Sequence, residues 1–212
     1  MSNNSEAEHV LKLFDESCLN VILVRHGQGG GPGGLEGFLG PVLTEMGERQ
    51  AARLAERFAS LPLDGIYTSD MARAYQTANA VRAFHPEVPF KSLLDLREIS
   101  PFQVRGRPQA RTADDRRTLH EQRERVSRFA RHLRHAHKPG QLLAIIAHNG
   151  VNGMLLAELC GVSYRKSIFF SSFHTGVTVA NVSIDPSVVN LRLMGCTRHL
   201  PAEMMTAANV QR

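Results

Sequence analysis

Cysteine is scarce in this chain of 212 residues: Cys18, Cys160 and Cys196 are an odd number at wide spacing and form no CxxC pair. That excludes a disulfide framework and the common thiol metal or redox motifs, and it fits reduced thiols in a cytoplasmic protein. No apolar run approaches the roughly 20 residues a membrane helix needs. The polar, acidic stretch from Met1 to Leu19 also lacks the basic n-region of an export signal. No membrane partner is expected, and 1–19 reads as an N-terminal extension. Aromatic residues are few. Only Phe102 and Phe129 stand in or beside the stretch from Arg105 to Arg134, which holds ten arginines, so stacking on bases is unsupported and nucleic acid is not expected. Asp114, Asp115, Glu121 and Glu124 are interleaved with those arginines, as on a solvated helix face laced with ion pairs. Contact with an anionic substrate is the alternative for the same stretch, and the formal charge of +5 favours anionic partners in general.

At this length the chain is the size of one large α/β domain, so 1–212 is read as a single unit. Asn20-Val-Ile-Leu-Val24 is a short β-branched run that ends at Arg25-His26 and then glycines, as expected of a strand buried on both faces. After a Gly-rich loop, Thr44 can cap a helix that runs to Ser60, with Glu45 and Glu48 in its first turn. A strand over 65–68 follows, then a helix capped by Ser69 or Asp70 that stops before His85-Pro86. The pattern predicts a further strand over 90–94 and an irregular insertion over 99–118 near the active site. A helix from about Thr118 to His137 comes next, then a strand over 142–147 and a helix closed by Gly161. Two last strands fall over 177–182 and 190–194. Alternating strands and helices imply an α/β fold, a three-layer αβα sandwich with a mostly parallel central sheet. Its ligands are expected beyond the carboxyl ends of the parallel strands.

Two histidines follow the two most apolar strands directly: His26 after Val24-Arg25 and His148 after Ile145-Ile146-Ala147. Arg25 adjoins the first, and Arg73 lies early in a helix behind a third strand. Such a cationic convergence is costly in a core unless an anion occupies it. Phosphoryl transfer needs this set, because arginine forks bind the equatorial oxygens bidentately while a neutral imidazole attacks phosphorus. The leaving oxygen then needs a proton, and Glu98 in Leu96-Arg97-Glu98 is the candidate acid.

These residues resemble the histidine phosphatase superfamily, the phosphoglycerate mutase-like fold of branch 1. The resemblance covers roughly residues 20 to 198. It runs in order through Leu-Val-Arg25-His26-Gly27-Gln28, Leu43-Thr44-x-x-Gly47-x-x-Gln50-Ala51, Tyr67-Thr-Ser69-x-x-x-Arg73-Ala-x-x-Thr77-Ala78, Leu96-Arg97-Glu98 and Ala147-His148-Asn149-Gly150. Each is weak alone; their order is specific. The resemblance implies a phosphatase in which His26 becomes phosphorylated, Arg25, Arg73 and His148 form the phosphate pocket, and Glu98 donates the proton and later activates water. Gln28 and Asn149 are further substrate-binding candidates from the same motifs. No cofactor or metal is called for, and the expected partner is a small phosphorylated substrate. A phosphoprotein substrate and a homo-oligomeric state stay open. The chain departs from the family pattern at Gly29, where Thr or Ser is frequent, and at Asn149-Gly150, where the usual glycine after the second histidine is displaced by one.

Rival readings have less behind them. Gly29-x-Gly31-x-x-Gly34 formally matches a dinucleotide fingerprint, but about ten more residues, Pro41 among them, separate it from the helix it should open. The glycines read instead as a rim beside the pocket. No Gly-Lys-Ser/Thr follows, so there is no Walker loop. His132, His135 and His137 are read as scattered over a basic helix surface rather than gathered for a metal. His174, in a loop before a strand, is read as structural, with a place at the pocket's border as the alternative. A phosphomutase and a non-catalytic anion-binding module remain alternatives to the phosphatase. The short insertion argues for an open site and against the mutase, and the intact residue set argues against the module.

Overall fold

A strand with no polar face must be covered on both sides, and the sheet is built around that requirement. The computed structural model describes residues 10–31, 33–99, 112–162, 171–183, 185 and 188–207, with the Asp115 side chain excepted. The start of the N-terminal extension and most of the 99–118 insertion, with Arg105 and Arg107, lie outside the described residues. The elements are β1 (Leu19–Arg25), β2 (Gly29–Gly31), β3 (Val42–Leu43), α1 (Glu45–Phe58), β4 (Gly65–Ser69) and α2 (Ala72–Arg82). They continue with β5 (Phe90–Leu93), α3 (Ala113–Ala136), β6 (Leu142–Ala147), α4 (Asn149–Leu159), β7 (Val177–Val182) and β8 (Val189–Cys196). Six of the strands form one sheet in the order β5-β4-β6-β1-β7-β8, while β2 and β3 pair separately. β5, β4, β6 and β1 run parallel, and β7 is antiparallel to both β1 and β8.

Alternation along the central strands divides their side chains between two cores. Val21 and Leu23 of β1, with Leu143 and Ile145 of β6, pack under α3 and α4 against Val126, Phe129, Leu133, Val151 and Leu155. Ile22 and Val24, with Ala144 and Ile146, face the other way, toward Leu54 and Phe58 of α1 and Ala78 and Val81 of α2. The result is the three-layer αβα sandwich.

Local signals explain most boundaries. The Thr44 side chain accepts from the Gly47 backbone N–H, and Glu45 and Glu48 lie in the first turn beside the positive end of α1. α3 begins at Ala113, five residues before the Thr118 start read from the sequence, so its first turn reaches into the stretch read as irregular. Arg117 pairs there with Asp114 and Glu121 at one-turn spacing, which extends the helix on an exposed face. The glycine rim also carries more order than a loop, because Gly29 and Gly31 pair with Leu43 and Val42, and Leu39 bridges to Met71. His137 is a third difference. It lies past the end of α3, where its Nε2 accepts from the Tyr67 hydroxyl at 2.7 Å, rather than facing solvent with His132 and His135. No helix among the described residues is long and apolar enough to cross a membrane.

Candidate active site

Three adjacent parallel strands end side by side, and each delivers a polar group to the same edge. β1 delivers Arg25 and then His26, whose backbone N–H donates to the Ala147 carbonyl at 2.9 Å. β6 delivers His148. β4 ends at Ser69, whose hydroxyl lies 3.0 Å from His148 Nε2 and also accepts from the Met71 N–H. This overturns the reading of Ser69 or Asp70 as the cap of α2: Met71 occupies that position and makes no side-chain cap bond. Ser69 is committed to the histidine. Asp70 instead accepts a forked pair of bonds from Arg97, so the helix start lacks a cap because the site uses both candidates.

His26 and His148 are buried, with ring centroids 4.9 Å apart, and Arg73 lies between their nitrogens. His26 Nδ1 is 2.6 Å from its neighbour's carbonyl, Gly27 O, and must carry the proton, which leaves Nε2 with a lone pair. Arg73 Nε donates to that Nε2 at 3.0 Å, and Arg73 Nη2 donates to His148 Nδ1 at 3.2 Å. His148 therefore keeps its proton on Nε2, facing Ser69. Burial, reinforced by mutual charge and by Arg73, holds His26 well below its ordinary pKa, and burial followed by Arg73 does the same for His148. Both rings are thus neutral at neutral pH. Arg25 is buried as well. Its Nη1 donates to the Ser172 carbonyl at 2.7 Å, while its Nε has no hydrogen-bond partner among the described residues. An orphan buried donor beside two neutral imidazoles and a second arginine can hold an oxyanion, phosphate above all.

Glu98 completes the edge from the turn that follows β5, against the start of α4. Its Oε1 accepts from the backbone N–H groups of Ile99 at 2.9 Å and Val151 at 3.2 Å, at the amino end of α4. Burial pushes the Glu98 carboxyl up, although those backbone donors, that of Gly150 and the charge of Arg73 pull the other way. The displaced glycine of Asn149-Gly150 has its explanation here: a Cβ at 150 would stand 2.6 Å from Ile99 Cγ1 and 2.7 Å from Glu98 Oε1. Gly150→Ala should destabilise the protein by about 1–3 kcal/mol through overpacking, lowering Tm by several degrees, and should displace Glu98. Thermal unfolding that matched wild type would show that Glu98 does not pack so closely on that helix.

The sequence reading of the arginine-rich stretch as a solvated face holds for Arg117 but not for Arg125. That guanidinium donates to the carbonyls of Leu94 and Asp95 and, through Nη2, to that of Glu98, all at 3.0 Å. It clamps the turn that presents the acid. Nothing in an arginine-rich run distinguishes this one residue in advance. Gln28 and Asn149 flank the two histidines, but both turn their side-chain oxygens to the scaffold. Gln28 Oε1 accepts from the Thr44 hydroxyl at 2.8 Å, and Asn149 Oδ1 accepts from the Ser172 N–H at 2.9 Å. The structure thus brings His26, Arg25, Arg73, His148 and Glu98 to one edge, and holds Gln28 and Asn149 beside it as parts of its frame. At Gly29 a Cβ would lie 2.6 Å from Arg73 Cδ, so the arginine passes through space that only glycine leaves. Among the described residues no group of three or more His, Cys, Asp or Glu could hold a metal ion.

The family model of the histidine phosphatase superfamily (branch 1) matches residues 21–194. The chain belongs to the histidine phosphatase superfamily. Other members are similar over shorter or more divergent stretches. A probable phosphoglycerate mutase of Cronobacter sakazakii is 42% identical over 65 residues, 30% of each chain. A probable phosphatase of Schizosaccharomyces pombe is 38% identical over 73 residues, 34% of this chain and 35% of the relative. The chain thus matches about a third of the length of these curated relatives. Among solved structures, a mycobacterial glucosyl-3-phosphoglycerate phosphatase superposes with a TM-score of 0.63 at 18% identity, covering 85% of this chain and all of that one. An α-ribazole phosphatase from Shigella flexneri superposes at 0.65 with 21% identity, covering 84% of this chain and 96% of its own. At such identities the likeness is one of fold.

Proposed function

We propose that this histidine phosphatase superfamily member hydrolyses small phosphomonoesters through a phosphohistidine on His26. The observation that carries the proposal is the tautomer of His26: Nδ1–H donates to Gly27 O, and the lone pair of Nε2 faces Arg73. Arg25 and Arg73 take the phosphoryl oxygens. Nε2 attacks phosphorus, the bond to the ester oxygen breaks, and the Glu98 carboxyl gives that oxygen its proton. Positive charge that builds on the ring is stabilised through the bond from Nδ1–H to Gly27 O. Water then attacks the phosphohistidine while the Glu98 carboxylate takes its proton, which restores neutral His26 and releases phosphate. His148, held by Ser69, accepts from Arg73 Nη2 and so orients the guanidinium that takes those oxygens.

A second reading, a phosphoglycerate-type mutase, has the similarity to the probable mutase in its favour. It differs in the fate of the phosphohistidine, which passes to a second hydroxyl instead of to water. Rapid alkaline quench of the enzyme with a radiolabelled aryl phosphate should trap alkali-stable, acid-labile label on the peptide that holds His26, followed by release of one inorganic phosphate per turnover. Label that leaves only when a phosphoglycerate is added would establish the mutase. Absence of label and turnover, with phosphate still bound, would reduce the pocket to an anion-binding module.

A further inference from the structure

A third buried histidine stands beside the candidate nucleophile with no role in the scheme above. His174 is 5% exposed, and its ring centroid is 5.7 Å from that of His26. The turn that carries it is anchored on the site itself: the Thr175 N–H donates to Arg25 O at 2.9 Å. Thr175 also adopts φ 53°, a left-handed conformation that a β-branched residue enters only under constraint.

The partners of His174 lie in the C-terminal segment. Its backbone N–H donates to Thr206 O at 2.9 Å, and its Nδ1 lies 2.8 Å from Thr206 Oγ1. That hydroxyl also meets Gln50 Nε2 at 2.8 Å, and the same Nε2 donates to Met204 O. The orientation of the Gln50 amide follows from its other end, where Oε1 accepts from the Gln28 N–H at 2.8 Å. Gln50 is therefore the donor to Thr206. The hydroxyl, receiving from Gln50, keeps its own hydrogen to give, and His174 Nδ1 at 2.8 Å is placed to accept it. A neutral His174 so bonded has its proton on Nε2, and among the described residues no group accepts it. Bonded in this way the two rings have opposite tautomers, a lone pair at Nε2 of His26 and an N–H at Nε2 of His174.

Resting on the phosphatase reading, we propose that His174 is a further ligand of the transferred phosphoryl group, a neutral donor through Nε2–H, and that Gln50 and Thr206 act as positioning residues that set its tautomer. A neutral donor suits this place. Arg25 already sits there, and burial followed by the charge of Arg25 pushes His174 down to about 4, so the ring adds a hydrogen bond without adding a like charge. The short C-terminal stretch Met204–Thr206 thereby becomes part of the phosphate site, although nothing in its composition marks it.

The test compares wild type with His174→Phe, His174→Gln, Thr206→Val and Thr206→Ser, using aryl phosphate turnover, inorganic phosphate affinity and nitrogen-15 imidazole shifts. In wild type the shifts should report Nε2–H at His174, and that proton should move downfield on phosphate binding. His174→Phe should lower kcat/KM by roughly 10- to 100-fold and weaken phosphate binding about 10-fold. Loss of the hydroxyl in Thr206→Val should mix the His174 tautomers and lower kcat/KM by about 3- to 10-fold, and Thr206→Ser should restore both. Two results overturn the inference: an Nδ1–H tautomer in wild type, or variants that lose Tm while keeping wild-type kcat/KM and phosphate affinity. If His174→Phe does not fold, His174→Gln and the Thr206 pair still decide. Failure of the underlying reading looks different. In that case His26 never carries phosphate in any variant, whereas failure of this inference leaves a phosphorylated His26 that forms and decays at wild-type rates without the third histidine.

Discussion

His26→Ala abolishes turnover: kcat/KM for an aryl phosphate falls by about 10⁴-fold or more, as when any covalent nucleophile is deleted. The size of the effect follows from the neighbourhood. Arg25, Arg73 and His148 remain, so phosphate still binds, but none of them offers a lone pair that can attack. The arginines stay protonated, and His148 Nδ1 faces Arg73 at the far side of the guanidinium. The fold should survive, because His26 stands beyond the strand and the packed alternation of β1 ends at Val24. Isothermal titration with inorganic phosphate, together with circular dichroism, separates loss of chemistry from loss of structure. A variant that binds phosphate, folds and turns over at wild-type kcat/KM would remove His26 from the mechanism.

Glu98→Gln gives the second large effect, and it depends on the substrate. For esters of ordinary alcohols kcat/KM should fall by roughly 10²- to 10⁴-fold, because an alkoxide cannot leave without a proton. For an aryl phosphate the loss in kcat/KM should stay below about 10-fold, since a phenolate leaves unaided. The aryl ester should then show a burst of phenolate followed by slow turnover, because water lacks its base in the second half of the reaction. The pH dependence sharpens the test. Burial raises the Glu98 carboxyl, so the protonated form persists above the usual range. Alkyl ester kcat/KM should decline as pH rises through that raised value, and the decline should be absent in the variant. Equal slowing of both ester classes would move the acid role to another group.

The difference between what the chain announces and what it conceals has a physical origin. His26 and His148 could be placed at one edge from sequence because each follows a run of apolar residues with no polar face, and such runs become neighbouring parallel strands. Arg73 was legible through its spacing from β4. The misplaced cap of α2 failed for the opposite reason. Ser69 and Asp70 have the right chemistry for a local bond, but His148 and Arg97, distant in sequence, take them. Arg125 and Thr206 were invisible on the same ground. Their partners are backbone carbonyls 27 to 31 residues away for Arg125, and side chains 32 and 156 residues away for Thr206, and no periodicity encodes such pairs. Glycines 29 and 150 could be seen as departures from a pattern, yet their purpose appears only when the side chain that fills each gap is in view.

The gap at Gly29 has a consequence for the thermodynamics of ligand entry. Arg73 reaches through it to hydrogen-bond His26 and His148 at once, so the resting pocket is occupied by a side chain of its own. An incoming phosphate exchanges one set of bonds for another, and only the difference contributes to affinity. Weak retention of the product follows directly, because as phosphate departs the guanidinium returns to two imidazole nitrogens that have been waiting for it.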